Sequence, residues 1–402
     1  MPMEGCDLRS DVWGADSVRP RLVDNGIEDA RWSYWGGNIV QGEDGLWHQF
    51  VAAWPEGARK GHMEWSRSWV IHAVGPTMHG PFRPRDVVGR GHNPEIYQTA
   101  DSTWVVYVID GRYTSKSLDG PWEYGKYDFD PQGKPVIEGL SNLSFARRPD
   151  GGWLMVCRGG GIWMSDDGLS TWKQVSDGSV YPRVEGRFED PVLWRDSVQY
   201  HLIVNDWLGR IAYYLRSGDG LQWTVDDGEA YMPGIALHKD GVQEHWFKYE
   251  RMRIVQDSEG RAVQANFAVI DTIKWEDKPF DRHSSKNICI PLDPGLLLAL
   301  ENARTKGKIA LRIRAEEGFL PQRDLDLTTL RFGSPHVVDY GGGASHLSSH
   351  IDGDDLILTF RTKDAGFTDA DFAAKLLVRR CDNGRTTFGF VRMPSPTPSL
   401  TK

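Results

Sequence analysis

The stretch Phe188-Glu189-Asp190-Pro191-Val192-Leu193-Trp194, followed by the turn Asp196-Ser197, decides how this chain is read, because its pattern recurs. A polar residue leads a short apolar strand, a tight turn follows, and a second strand returns. The same order appears at Gly37-Asn38-Ile39-Val40 with Asp44-Gly45, and at His92-Asn93-Pro94-Glu95-Ile96 with Asp101-Ser102. It appears again at Ser141-Asn142-Leu143-Ser144-Phe145 with Asp150-Gly151, and at Tyr249-Glu250-Arg251-Met252-Arg253-Ile254 with Asp257 to Gly260. The lead residues Asn38, Asn93, Asn142, Asp190 and Glu250 stand 55, 49, 48 and 60 residues apart. A period of this size, with several strands per unit, marks a β-propeller. The first strand of each blade lines the axial funnel, so the five lead residues are expected to meet there.

The second half of each unit repeats as well. Gly80-Pro81-Phe82, Gly120-Pro121-Trp122, Gly168 up to Trp172 and Gly220 up to Trp223 place a turn and an aromatic residue between the third and fourth strands. The fifth unit has two clear strands and a fainter third at Ile270-Asp271-Thr272-Ile273, so a strand from the other terminus is expected to complete it. The first unit carries an insertion, Trp54 to Trp69. Residues 1–30 read as a leader packing on the propeller, 31–288 as a five-bladed propeller, and 289–402 as a C-terminal β-sandwich. In that last part Pro291 to Asn302 reads as a short Leu-rich helix. Strands follow at Ile309–Ile313, Thr328–Phe332, His336–Tyr340, Asp355–Phe360, Lys375–Arg380 and Thr387–Val391. The fold class is all-β.

The bulk composition excludes several functions. A net charge of −9 over 402 residues argues against a nucleic-acid partner, which needs a basic stripe. No apolar run approaches the ~20 residues of a membrane span. Residues 1–20 lack the basic and apolar regions of a signal peptide, so the expected location is cytoplasmic, or periplasmic or secreted if a leader has been removed. Cys6, Cys157, Cys289 and Cys381 stand singly, which suggests neither a zinc framework nor a disulfide scaffold. The 17 Trp, 13 Tyr and 15 Phe residues suit a core and also the apolar faces of sugars.

Ionisable residues crowd the predicted axis. His92 and Glu95 flank Asn93, Glu189 precedes Asp190, and Glu244 and His245 come shortly before Glu250 and Arg251. Like charges at close range push some carboxyl pKa values upward. One group can then stay protonated as an acid while a neighbour stays ionised, the requirement for glycoside hydrolysis. The predicted catalytic set is Asp190, His245, Glu250, Glu95 and Glu244. The predicted substrate-binding set is Asn38, His92, Asn93, Trp65, Arg251 and Arg147, with His62 and Trp69 beside Trp65 in the insertion. No metal is assigned to the site and no cofactor is required, although a calcium or sodium ion could sit on the propeller axis. His346 and His350 read as a solvated loop, and Asp352-Gly353-Asp354-Asp355 lacks the ligand pattern of a calcium loop.

The five-unit pattern, the Phe188–Trp194 stretch and the Gly-Pro-aromatic turns resemble five-bladed propeller glycosidases, of the family 43 arabinanase/xylosidase type and the family 117 neoagarobiose-hydrolase type. The resemblance covers about residues 31 to 285. It implies a glycosidase, with three acidic positions on separate blades as base, pKa modulator and acid; the Trp54–Trp69 insertion is expected to block one end of the funnel, making a pocket and an exo action on an oligosaccharide. By position, Asp190 matches the modulator, and His245, with Glu244 and Glu250 nearby, falls where the acid is expected. The base of such enzymes is an aspartate opening the first blade, and this chain has Asn38 there. An amide cannot take a proton from water at neutral pH. Either Glu95 is the base, or the reaction is a lyase in which His92 or His245 abstracts a proton beside a uronate held by Arg251 or Arg147, or the protein binds sugar without turnover. On the hydrolase reading, Asp190→Asn and His245→Ala are each expected to abolish turnover at nearly unchanged melting temperature.

Overall fold

The computed structural model describes residues 25–394 except 138, 232–233, 239–242, 245 and 302–306, with backbone alone at 227–229, 243 and 244. Five antiparallel sheets follow one another along the chain, each beginning with its innermost strand. Blade 1 is Trp32–Gln41, Trp47–Pro55, Trp69–Gly75 and Arg83–Arg90. Blade 2 is Glu95–Gln98, Trp104–Val108, Gly111–Ser115 and Glu123–Gly125. Blade 3 is Ser144–Arg147, Trp153–Val156, Ile162–Ser165 and Trp172–Gln174, with Phe129–Asp130 added parallel at its outer edge. Blade 4 is Phe188–Arg195, Tyr200–Asp206, Ile211–Ser217 and Thr224–Tyr231. Blade 5 is Lys248–Gln256, Ala262–Ile270 and Lys286–Pro291. The molecule is a five-bladed β-propeller carrying a β-sandwich.

Blades stack face to face, so their middle strands are covered on both sides. Tyr200–Asp206 is buried at every position, and its His201 and Asp206 side chains find polar partners there. The aromatic residues mostly fill the wedges between blades. Tyr97, Tyr107, Phe145, Trp153, Trp163 and Trp172 pack blade 2 on blade 3. Val192, Trp194, Tyr214, Tyr249, Met252 and Phe267 pack blade 4 on blade 5.

The segment at residues 25–27 closes the ring. Ile27 N donates to Asn287 O at 3.0 Å and Asn287 N returns to Ile27 O at 3.3 Å, which adds an outer edge to blade 5. Gly26 N donates to His79 O and Phe82 N to Gly26 O, both at 2.8 Å, so the same segment is tied to blade 1. Gly26 is required here: φ is +71°, and a Cβ would lie 2.1 Å from Asn287 O. The closing strand therefore comes from within the predicted leader; residues 1–24 of that leader lie outside the described residues.

Several local expectations need correction. The third strand of blade 5 is Lys286–Pro291, not Ile270–Ile273; Ile270 ends the second strand and a long loop intervenes. The boundary at 288/289 therefore cuts a strand, and the propeller runs to Pro291. The described part of the Leu-rich run, 291–301, is not a helix, since Leu298–Leu300 pairs with Lys308–Ile313; Asn302 lies outside the described residues. His336–Tyr340, read as a strand, falls in a short helix, Pro335–Asp339, begun by its proline and capped at Tyr340. His346–Asp352, read as a loop, is an edge strand. The sandwich holds Leu298–Leu300, Lys308–Ile313, Asp355–Arg361 and His346–Asp352 in one sheet, and Leu325–Gly333, Ala373–Arg380 and Thr386–Arg392 in the other. Leu311, Phe332, Leu358, Phe360 and Leu376 form its core.

Candidate functional site

Every innermost strand carries one extra residue at its start. Trp35 pairs with Ala52 but Asn38 with Phe50; Glu189 with Asn205 but Val192 with Ile203; Glu250 with Ala268 but Arg253 with Asn266. Blades 2 and 3 show the same offset. Ile109 N donates to His92 O while Glu95 pairs with Tyr107, and Arg158 N donates to Ser141 O while Ser144 pairs with Val156. These β-bulges align the blades residue by residue and aim side chains at the axis.

The bulged residue itself is Gly36, Asn93, Asn142, Asp190 or Arg251, with φ of 67°, 53°, 51°, 54° and 50°. Four of the five are not glycine, and such left-handed conformations are held only where the surroundings demand them. They form a hydrogen-bonded arc. Asn93 Nδ2 donates to Asn142 Oδ1 at 2.6 Å, Asn142 Nδ2 to Asp190 Oδ1 at 2.9 Å, and Arg251 Nη1 to the same Asp190 Oδ1 at 2.9 Å. At Gly36 the Arg251 side chain fills the gap, and a Cβ there would lie 3.2 Å from Arg251 Cβ and Nε. Gly36→Ala is expected to cost about 1–3 kcal/mol, read as a lowered urea midpoint, because it adds a strained φ to that contact.

This alignment revises the predicted axial set. Asn93, Asn142 and Asp190 are equivalent to one another. Glu250 stands one residue earlier and Asn38 two residues later, so neither belongs to the arc. The blade 1 counterpart of Asp190 is Gly36, which offers no functional group. No sequence spacing reveals this, because a bulge shifts register without changing residue type.

Below the arc lies a closed layer. Asn38 donates to Ile96 O at 2.8 Å and accepts from Ile96 N at 2.6 Å, locking blade 1 to blade 2. Glu95 is buried, 2.8 Å from Arg253 Nη2, and accepts from Ser144 Oγ and Phe145 N at 3.2 Å each. Burial lifts its pKa although Arg253 and Arg251 oppose the rise.

Above the arc lies the layer of Trp35, His92, Ser141, Glu189 and Glu250, each one residue before its bulge. The Glu189 side chain is 24% exposed, accepts from Asn142 Nδ2 at 3.1 Å and stands 3.5 Å from Arg158 Nε. Burial and the neighbouring Asp190 charge push its pKa up to about 7, with Arg158 opposing and Glu250 adding to the rise. Glu250 is 3% exposed and ion-paired through Oε2 with Lys274, while its Oε1 is 3.6 Å from Lys248 Nζ. The Lys274 ammonium also lies over the Trp35 ring, 4.7 Å from its centroid. Burial disfavours that charge, yet Glu250, Asp190 and Glu189 hold the Lys274 pKa above its ordinary value.

One wall of this mouth comes from the blade 1 insertion, whose 3-10 turn is Gly61–Arg67. His62 sits edge-on between Trp35 and Trp54, at 4.5 and 5.1 Å between centroids, with Nδ1 2.7 Å from Ser285 Oγ. Trp65 is half-exposed and lies 4.9 Å from the His92 ring. The long blade 5 loop, 271–285, supplies Lys274 and packs on this insertion so closely that a Cβ on Gly61 would stand 2.0 Å from Asp277 O. His92 Nδ1 is 2.9 Å from Ser68 Oγ, whose own proton goes to Gly91 O at 2.8 Å. Ser68 must then accept from His92, which leaves Nε2 of His92 as the lone-pair nitrogen. Burial, with Arg251 and Lys274 nearby, keeps His92 neutral by pushing its pKa well down, and burial with Lys274 does the same to His62.

The remaining predicted residues divide as follows. Arg251 is buried and committed to Asp190. Trp69 is on the third strand of blade 1, under the Arg90 guanidinium at 3.5 Å. Arg147 is exposed at the far end of its strand, paired with Trp153 beside the hairpin turn, and so lies away from the mouth. His245 lies outside the described residues. Glu244 is described only as backbone, in the short pairing of Gln243–Glu244 with Ala236–Leu237. Two residues outside the predicted set stand out, Glu189 and Lys274. Glu189 was marked by its place before Asp190; Lys274 gave no signal, since a loop residue's reach is set by the loop's fold.

The sequence matches no family model and no curated protein. Among solved structures, the chain is similar to an RS223 β-xylosidase at 11% identity, covering 67% of this chain and 94% of that one, with a TM-score of 0.44. It is similar to an α-L-arabinofuranosidase from Lactobacillus brevis at 10% identity, covering 69% and 93%, with a TM-score of 0.44. It is also similar to a β-fructofuranosidase from Schwanniomyces occidentalis, in complex with fructosyl-erythritol, at 12% identity, covering 98% and 94%, with a TM-score of 0.42.

Proposed function

We propose that this protein is a glycoside hydrolase acting on an oligosaccharide, with Glu189 as the acid and Glu250 as its carboxylate partner. One observation carries the reading: the same bulge position on adjacent blades 4 and 5 holds two carboxyl groups in opposite electrostatic settings. Glu189, lifted to about 7, holds a proton that it can give to a leaving glycosidic oxygen. Glu250, ion-paired with Lys274, is placed to activate water or meet the anomeric carbon. Asp190 acts one step away, as a positioning residue whose charge raises Glu189. Trp65, exposed at the mouth, supplies the flat apolar surface that sugar rings favour.

The test is a screen of aryl glycosides and plant and algal oligosaccharides for reducing-sugar release. Turnover that survives in both Glu189→Gln and Glu250→Gln would refute the assignment. A second reading is favoured by the His92 tautomer: a neutral imidazole with Nε2 free can abstract a proton beside a uronate carboxyl, as a lyase requires. Lyase products absorb near-ultraviolet light through their new double bond, and hydrolase products do not. Under the lyase reading, His92→Ala abolishes the absorbance change.

A further inference from the structure

Blade 1 holds a second cluster of ionisable side chains, at the hairpin end of its strands and on the face turned toward blade 2. His48, on the second strand, and His72, on the third, are both buried. Nδ1 of His48 faces Nε2 of His72 at 2.8 Å. The other nitrogen of each ring meets a carboxylate: His48 Nε2 is 3.1 Å from Asp44 Oδ1, and His72 Nδ1 is 3.2 Å from Asp86 Oδ2. Phe50 stacks on His72, at 4.7 Å between centroids and 7° between planes, and fixes that ring. Gly42 leaves room for the Asp44–His48 contact, since a Cβ there would stand 2.5 Å from both Asp44 Oδ1 and His48 Nε2. From blade 2, Asp119 brings a carboxylate oxygen within 4.8 Å of the two histidine nitrogens, while its Oδ1 also lies 3.1 Å from Arg85 Nη1.

The proton count makes this arrangement unusual. A ring nitrogen beside a carboxylate carries hydrogen and donates it. With both outer nitrogens donating, Nδ1 of His48 and Nε2 of His72 present lone pairs to each other with no hydrogen between them. Two lone pairs at that separation require a cation. A histidine held by a carboxylate on one nitrogen, with its other nitrogen free, is the usual setting of a metal ligand. Asp119, from a neighbouring blade, gives a metal a third donor, where a shared proton would use only the two rings.

We propose that His48, His72 and Asp119 bind one divalent transition-metal ion of the zinc type, clamping blade 1 to blade 2 apart from the mouth. Zinc–nitrogen bonds of about 2.0–2.1 Å in tetrahedral geometry set the two nitrogens about 3.3 Å apart, so the nearly parallel rings, 5.0 Å between centroids and 13° between planes, must part by about half an ångström and tilt toward a common point. Asp44 and Asp86 then orient the two imidazoles.

The experiment uses the full chain, stripped with chelator and titrated with zinc by calorimetry and with cobalt by visible absorption. One equivalent bound, a raised melting temperature and tetrahedral cobalt bands are the expected results. His72→Gln should weaken binding at least 100-fold, and Asp44→Asn or Asp86→Asn by about 10–100-fold. Asp119 is exposed, so Asp119→Asn folds in any case and should change the cobalt spectrum. No stoichiometric binding, or binding undiminished by His72→Gln and Asp119→Asn, would overturn the proposal. So would a cluster whose stability follows pH but not zinc, since a shared proton would then be the cation.

Discussion

Glu189→Gln is expected to turn over substrate about 10²–10⁴-fold more slowly, because the amide has no proton to give to the leaving oxygen. On the hydrolase reading, the native protein should lose kcat as pH rises through about 7, where Glu189 ionises. Glu189→Gln should retain only slow turnover without that limb. The same carboxyl leaves a mark on stability. Its folded pKa of about 7 lies above the ordinary carboxyl value of 4.5, so between those values the folded chain binds more protons than the unfolded one. The stabilising contribution of the protonated group is complete below about 4.5 and is lost as pH rises to about 7 and beyond. Glu189→Gln does not ionise, so its urea midpoint should gain on the native one from pH 5 to pH 8. Equal midpoint changes in the two proteins would show that Glu189 is not perturbed. Asp190→Asn should move the alkaline limb of kcat to lower pH, because the charge that raises Glu189 is gone.

Arg251→Leu is expected to cost about 3–5 kcal/mol, read by denaturant unfolding. It leaves the Asp190 carboxylate buried with Asn142 as its remaining side-chain donor. Asp190 and Arg251 are 3% and 1% exposed, so water cannot take over either charge. The double variant Asp190→Asn with Arg251→Leu should recover part of the loss, since no unpaired charge stays inside. This changes the outlook for Asp190→Asn alone. Read from the sequence, it was a catalytic change with little effect on melting. Read with its partner, it also destabilises, because a buried guanidinium loses its counter-charge. A native midpoint for Arg251→Leu would return Arg251 to a role in substrate contact.

The number of blades and their order could be counted along the chain. Each blade must open with a polar lead residue, bury a strand on both faces and close with a tight turn, and those needs write a period near fifty into the residue types. Asn93, Asn142 and Asp190 were legible for the same reason. The offsets at Asn38 and Glu250 were not, because a single bulged residue shifts register without changing composition. Nor was the far end of Arg147 visible, since direction along a strand decides which face of the propeller a side chain reaches. Lys274 belongs to a loop whose path is set by packing on Gly61 and the blade 1 insertion. Spacing settles which strands are neighbours, since pairing is local and periodic. The different settings of Glu189 and Glu250 arise from burial and from the charges that folding gathers beside them, Asp190 and Arg158 at Glu189 and Lys274 at Glu250, and those act through space.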